Sequence, residues 1–156
     1  MHLLLLQLIH QAFFGGIAAV GFGILFNCPP KMLLHCFAAG AIALLVRTLA
    51  MNAGWSLATA SFLAALVLAI FDRAWQQPHT LRGSVLAVVG SIPMVPGGLA
   101  AKALMNCFAL MRAEPGQSVN LVPLALENVL SAIFTLAAIG IALAIPSLLF
   151  PAPQED

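Results

Sequence analysis

Residues 84–112 read SVLAVVGSIPMVPGGLAAKALMNCFALMR, and the Ile92-Pro93-Met94-Val95-Pro96-Gly97-Gly98 near their centre governs how the rest is read. The flanks are apolar enough for a membrane interior, yet each proline removes a backbone donor and clashes with the preceding turn. Inside a bilayer, unwound backbone persists only where protein buries it or where it lines a water-filled cavity. Transporters commonly bind a solute at such a discontinuity, where helix ends face a cavity. The stretch therefore predicts a helix broken at Pro-x-x-Pro-Gly and a fold that shelters the break. The pattern fits one broken crossing or a re-entrant hairpin.

Composition sets the class. The chain has 156 residues, 62% hydrophobic and 7% charged, whereas soluble domains carry roughly 25% charged residues. Too few polar groups are available to clothe a globular surface. The expectation is an all-α integral membrane protein, one membrane domain over 1–156, with about five transmembrane helices near 3–26, 32–51, 55–71, 84–112 (the broken fourth) and 121–150. At 1.5 Å per residue the first span reaches about 36 Å, enough for a hydrocarbon core of about 30 Å. A signal peptide fits poorly, because no Lys or Arg precedes the apolar run and the run is too long. Gly15, Ala19 and Gly23 recur every four residues and form a stripe that permits close helix packing in lipid, within the chain or in a homo-oligomer.

The punctuation is consistent with that count. Asn27-Cys28-Pro29-Pro30-Lys31 ends the first span, since adjacent prolines cannot continue a helix. Asn52-Ala53-Gly54 makes a short turn, and Trp55 and Trp75 suit the two interfaces. Residues 72–83 and 113–120 read as polar loops, and 151–156 as an acidic tail. Lys31, Arg73 and Arg82 fall on one side, with Arg47 and Arg112 toward the other, a bias that favours a cytoplasmic C-terminus. A net charge of +1 with scattered cations offers no basic patch for nucleic acid.

Charged groups inside spans cost about 2.5–3.5 kcal/mol each on insertion scales, so each requires a reason. Arg47, about five residues from the end of the second span, either snorkels to the interface or serves a site. Gly98, Lys102 and Asn106 share a helical face at i, i+4 and i+8. If helix resumes near Pro96, a favoured first-turn residue, the amides of Gly97, Gly98 and Leu99 point into the gap with the positive dipole end. Pro93, Pro96, Gly97, Gly98, Lys102 and Asn106, with Arg47 as a second cation, are thus candidate binding residues for a carboxylate. Glu127, Ser131 and Thr135 form a polar stripe on the last span, serving either coupling or helix packing. At its depth Glu127 could pair with Arg47 or Lys102.

No catalytic constellation is present, so no enzyme is expected, and no cofactor. Cys28, Cys36 and Cys107 have no C-x-x-C spacing, and His2, His10, His35 and His79 lack metal-ligand spacing, so no metal site is expected. The cysteines read as small apolar core residues.

Three elements in register resemble the threonine/serine exporter family: Gly21-Phe22-x3-Phe26-Asn27-x-Pro29, Gly40-x6-Arg47 and Pro93-x2-Pro96-Gly97. The match is to its short, YjjB-like form and covers most of 12–150. The resemblance implies a bacterial inner-membrane subunit that pairs with a larger YjjP-like membrane protein. Such pairs export small carboxylates such as succinate, fused relatives export threonine and serine, and the proton gradient is the implied driving force. Where family members often carry Gly-His before the arginine, this chain has Ala43-Leu44, so no histidine relay stands there. Where they often carry a tyrosine after Pro-Gly, it has Ala101. The alternative is a membrane subunit that assembles or stabilises a partner without transporting.

Overall fold

The computed structural model describes residues 2–75, 85–112 and 118–149. His79, Arg82 and the 151–156 tail lie outside the described residues, as do 76–83 and 113–117 of the two expected loops. Among the described residues there is helix and no strand. The helices are α1 (His2–Leu25), α2 (Leu33–Asn52), α3 (Leu57–Trp75), α4 (Val85–Ser91), α5 (Gly97–Arg112) and α6 (Ser118–Leu149). Short 3-10 turns at Pro30–Met32 and Ile92–Met94 precede α2 and follow α4.

Three stretches, Leu4–Leu25, Pro30–Asn52 and Leu121–Pro146, are each long and apolar enough to cross a membrane. Val85–Met94 with Gly97–Arg112, bent by 49°, makes a fourth if the pair is one span. The 19-residue α3, packed between α2 and α6, is the remaining element of the expected five. It runs past the expected end at 71, through a buried Asp72 and a half-buried Arg73, both of which have interaction partners.

Local chemistry sets the ends. α1 stops where Asn27 takes φ 57. The amide of Cys28 donates to the Gly23 carbonyl (2.9 Å) and that of Asn27 to Ile24 (2.9 Å). α2 stops in the same way at Gly54 (φ 90), with Trp55 donating to Ala50 (3.1 Å) and Gly54 to Met51 (3.0 Å). Both are Schellman caps, which need a left-handed residue just past the helix, Gly or Asn by preference. The Ser56 hydroxyl then caps α3 by accepting from the Thr59 amide (3.3 Å).

Packing runs α1 on α2, α2 on α3, α3 on α6 and α6 on α5, while α4 sits against α2, α1 and α3. The Gly15–Ala19–Gly23 stripe is used inside the chain. A methyl group at Gly15 would lie 2.6 Å from Leu44 Cδ1, and one at Gly40 would collide with the Gly15 carbonyl oxygen. The core joins Ala39 and Ala43 to Ala64, Ala65 and Leu68, with Ala87, Met94, Ile139 and Ala142. Small side chains dominate because helices surrounded by lipid gain from close backbone approach rather than from apolar burial alone. Leu6, Ile9, Phe134 and Ile141 stay exposed on the outside, as lipid contact requires.

Candidate functional site

The break shapes the site. Ile92–Met94 tightens into a 3-10 turn in which the Val95 amide donates to Ile92 (3.0 Å). Val95 then takes φ −57, ψ 126, and helix resumes from Pro96, whose carbonyl accepts from Ala100 (3.0 Å). In an unbroken helix the Met94 carbonyl would accept from the amide four residues on. Here Arg47 Nη1 donates to it instead, at 2.8 Å, across 47 residues of sequence. A side chain of α2 thus takes up a carbonyl that the break leaves without its helical partner, while the prolines themselves remove the donors to Val89 and Ile92. One guanidinium donor of Arg47 is turned to a backbone carbonyl of the break.

Arg47 and Pro93 line an open pocket of about 450 Å³ with Gln7, Gln11, Thr48 and Asn52, and Leu44 and Met51 supply apolar wall. Two of these groups are tied to their own helix. Thr48 Oγ1 donates to Leu44 (2.7 Å) and Asn52 Nδ2 to Thr48 (2.7 Å). Arginine has five N–H donors, and one is committed to Met94. The lining contains one cation and no carboxylate, with neutral amides around it. Such a lining favours an anion that also accepts hydrogen bonds.

Of the expected binding residues, Arg47 and Pro93 meet in this pocket, and Pro96 is buried at the break beside it. Gly97, Gly98 and Lys102 are exposed and Asn106 is half-buried, and none of them lines the pocket. The expectation of a free Gly97 amide is corrected, because that amide donates to the Val95 carbonyl at 2.8 Å. The bond closes a three-residue turn centred on Pro96, whose own φ and ψ set the distance between the Val95 carbonyl and the Gly97 amide. Gly98 has open space on its α-carbon, with no atom within 4 Å of an added methyl group.

The last-span stripe separates in the same way. Thr135 is fully buried and donates to the Ser131 carbonyl at 2.6 Å, Ser131 is half-buried, and Glu127 is exposed. Among the described residues Glu127 pairs with neither Arg47, which is turned to Met94, nor Lys102. Gln7, Gln11, Thr48 and Asn52 were not singled out from the sequence. Their signal was available as two polar pairs at i, i+4 in otherwise apolar helices. A hairpin of two spans brings the start of α1 to the end of α2, and so brings the two pairs together.

The family model described as "Threonine/Serine exporter, ThrE" matches residues 11–149. An uncharacterized protein of Haemophilus influenzae is 31% identical over 146 residues, covering 94% of this chain and 48% of the relative. The chain thus spans about half the length of that relative. No solved structure matches.

Proposed function

The chain belongs to the threonine/serine exporter family, and we propose from that premise that it is a subunit of an exporter of small carboxylates, a succinate-like dicarboxylate or threonine and serine. Membership in a transport family supports movement of a solute rather than its chemical conversion. The assembly sits in the bacterial inner membrane with a larger YjjP-like partner and draws on the proton gradient. The relative carries about as much chain again beyond the matched part, and in this reading the larger subunit supplies the counterpart.

One observation carries the site assignment: the inward-facing Arg47, bonded to the broken backbone at Met94 and lining a pocket of neutral amides. The substrate carboxylate takes the remaining guanidinium donors, and Gln7, Gln11 and Asn52 read its polar substituents. Charge-assisted bonds of this kind are roughly twice as strong as neutral ones. The pocket adjoins the bend, so a bound anion and the break share Arg47. Gly98, Lys102 and Asn106 line the next stage of the path, on the open face that the larger subunit covers.

The test is export of labelled succinate, threonine and serine from cells carrying both subunits, either one alone, or neither. Export of at least one of them that needs both subunits, and that is lost in Arg47→Ala despite normal membrane levels, is the expected result. Full export without this chain would leave it an assembly factor or less. Full export by Arg47→Ala would move the carboxylate site elsewhere.

A further inference from the structure

Two of the three cysteines, eight positions apart, converge at the turn between α1 and α2. The left-handed Asn27 folds the chain back over the end of α1, and the Cys28 amide donates to the Gly23 carbonyl at 2.9 Å. Gly23 is also where the other cysteine packs, since a methyl group there would lie 3.0 Å from Cys36 Sγ. Cys28 itself packs against the cluster in which Cys36 is buried. Cys28 is half-buried, in the turn outside the helices, between the exposed Asn27 and Pro29. Cys36 is fully buried in the cluster that Ala19 forms with Leu86 and Val89 of α4. The pair therefore has one half-buried cysteine in the turn and one sheltered cysteine in the cluster it packs against.

We propose that Cys28 and Cys36 form an oxidisable dithiol, closed to an intrachain disulfide by exchange with a small disulfide such as oxidised glutathione. The Cys28 thiolate attacks one sulfur of the oxidant, breaking its S–S bond and releasing one small thiol. The Cys36 thiol, having lost its proton, then attacks Cys28 Sγ and expels the second small thiol. Two protein thiols are oxidised and one disulfide is reduced to two thiols, so atoms and electrons balance. Attack by the more accessible thiol and resolution by its neighbour follow from access and thiolate-based exchange. The bridge staples the α1–α2 turn beside α4, the half-helix that leads into the break. Cys107 lies exposed on α5, which packs against α6, and has no part in it.

Lys31 stands between the two cysteines, so trypsin separates them and a bridge between Cys28 and Cys36 appears as a linked pair of peptides. The full chain carrying Cys107→Ser, in membranes, is treated with oxidised glutathione, blocked with a maleimide, digested and weighed. The expected product is the peptide ending at Lys31 joined to the peptide beginning at Met32, lighter by two hydrogens than the two thiols. Cys36→Ser should stop as a glutathione adduct on Cys28, and Cys28→Ser should leave Cys36 unmodified. A lasting glutathione adduct in the chain with both cysteines, or a bridge between two chains, would overturn the proposal. That chain keeps both cysteines, so the outcome does not depend on either serine variant folding.

Discussion

The two sides of this molecule differ in what their glycines touch. On the α1–α2–α4 side most helical glycines sit in tight contacts, Gly21 excepted, which has open space on its α-carbon. A methyl group at Gly15, Gly16, Gly40 or Gly90 would meet atoms within 3 Å, and Arg47 reaches across to hold the Met94 carbonyl. On the α5–α6 side a methyl group at Gly97, Gly98 or Gly140 would meet nothing within 4 Å, and Lys102 and Glu127 are exposed. The second side presents glycines and a cation at an open face, beside the exposed Leu104, Met105 and Phe108 of α5. In the proposed assembly the closed side serves the chain's own fold and the open side is the surface offered to the larger subunit.

The largest expected effect is at the tight side. Gly40→Val forces a branched side chain onto the Gly15 carbonyl oxygen and onto Ala19 Cβ, 2.5 Å from an added methyl group. Backbone cannot give way as a flexible side-chain tip can, so the loss should be at least the roughly 1–3 kcal/mol of ordinary overpacking. Little folded protein should then accumulate in membranes. Gly98→Val should accumulate normally, and equal yields of the two variants would erase the contrast between the sides.

Arg47 comes next. Arg47→Met keeps the bulk but leaves the Met94 carbonyl without a donor, at a cost of about 1–3 kcal/mol. It should lower the unfolding temperature of the purified subunit and abolish export. Arg47→Lys should recover most of the stability, because an ammonium can reach a carbonyl, and much less of the export, because it lacks the planar fork that grips a carboxylate. If lysine restored both in equal measure, the arginine would be a brace for the break with no further role.

A smaller effect is expected from the amides of the pocket. Gln11→Leu removes one hydrogen-bonding group from a wet, open lining, so it should raise the apparent KM for export several-fold and leave the unfolding temperature unchanged. A fall in maximal rate at unaltered KM would place Gln11 outside the site.

How far these contrasts were legible in the sequence depends on their range. The break itself was readable, because proline and glycine act on their own backbone. The Gly15–Ala19–Gly23 stripe was readable as a contact, since spacing puts small residues on one face. What it contacts was not, because a stripe is silent about its partner. Arg47 and Met94 lie 47 residues apart, and the bond between them depends on how α2 and the bent pair are rotated, which no local pattern encodes. The Gly97 amide was misjudged for a subtler reason. A proline at the first turn suggests free donors beyond it, yet a three-residue turn about that proline lets the Val95 carbonyl take one of them. Cys28 and Cys36 were discounted on spacing, whereas a left-handed Asn27 brings the two together.

The smallest effects are expected on the open side, and they sharpen the comparison most. Lys102→Ala and Gly97→Leu should both leave the isolated subunit as stable as the parent, because neither side chain site has neighbours to lose or displace. Gly97→Leu should nonetheless weaken association with the larger subunit, since a bulky group on a face meant for close approach keeps the two surfaces apart. Lys102→Ala should reduce export while leaving co-purification of the subunits intact, since a single long side chain contributes charge to a path more than area to an interface. The two variants therefore separate the uses of one face. If both subunits still co-purify and export at parental rates with Gly97→Leu, the open side faces lipid, and Lys102 must reach the headgroups by its own length.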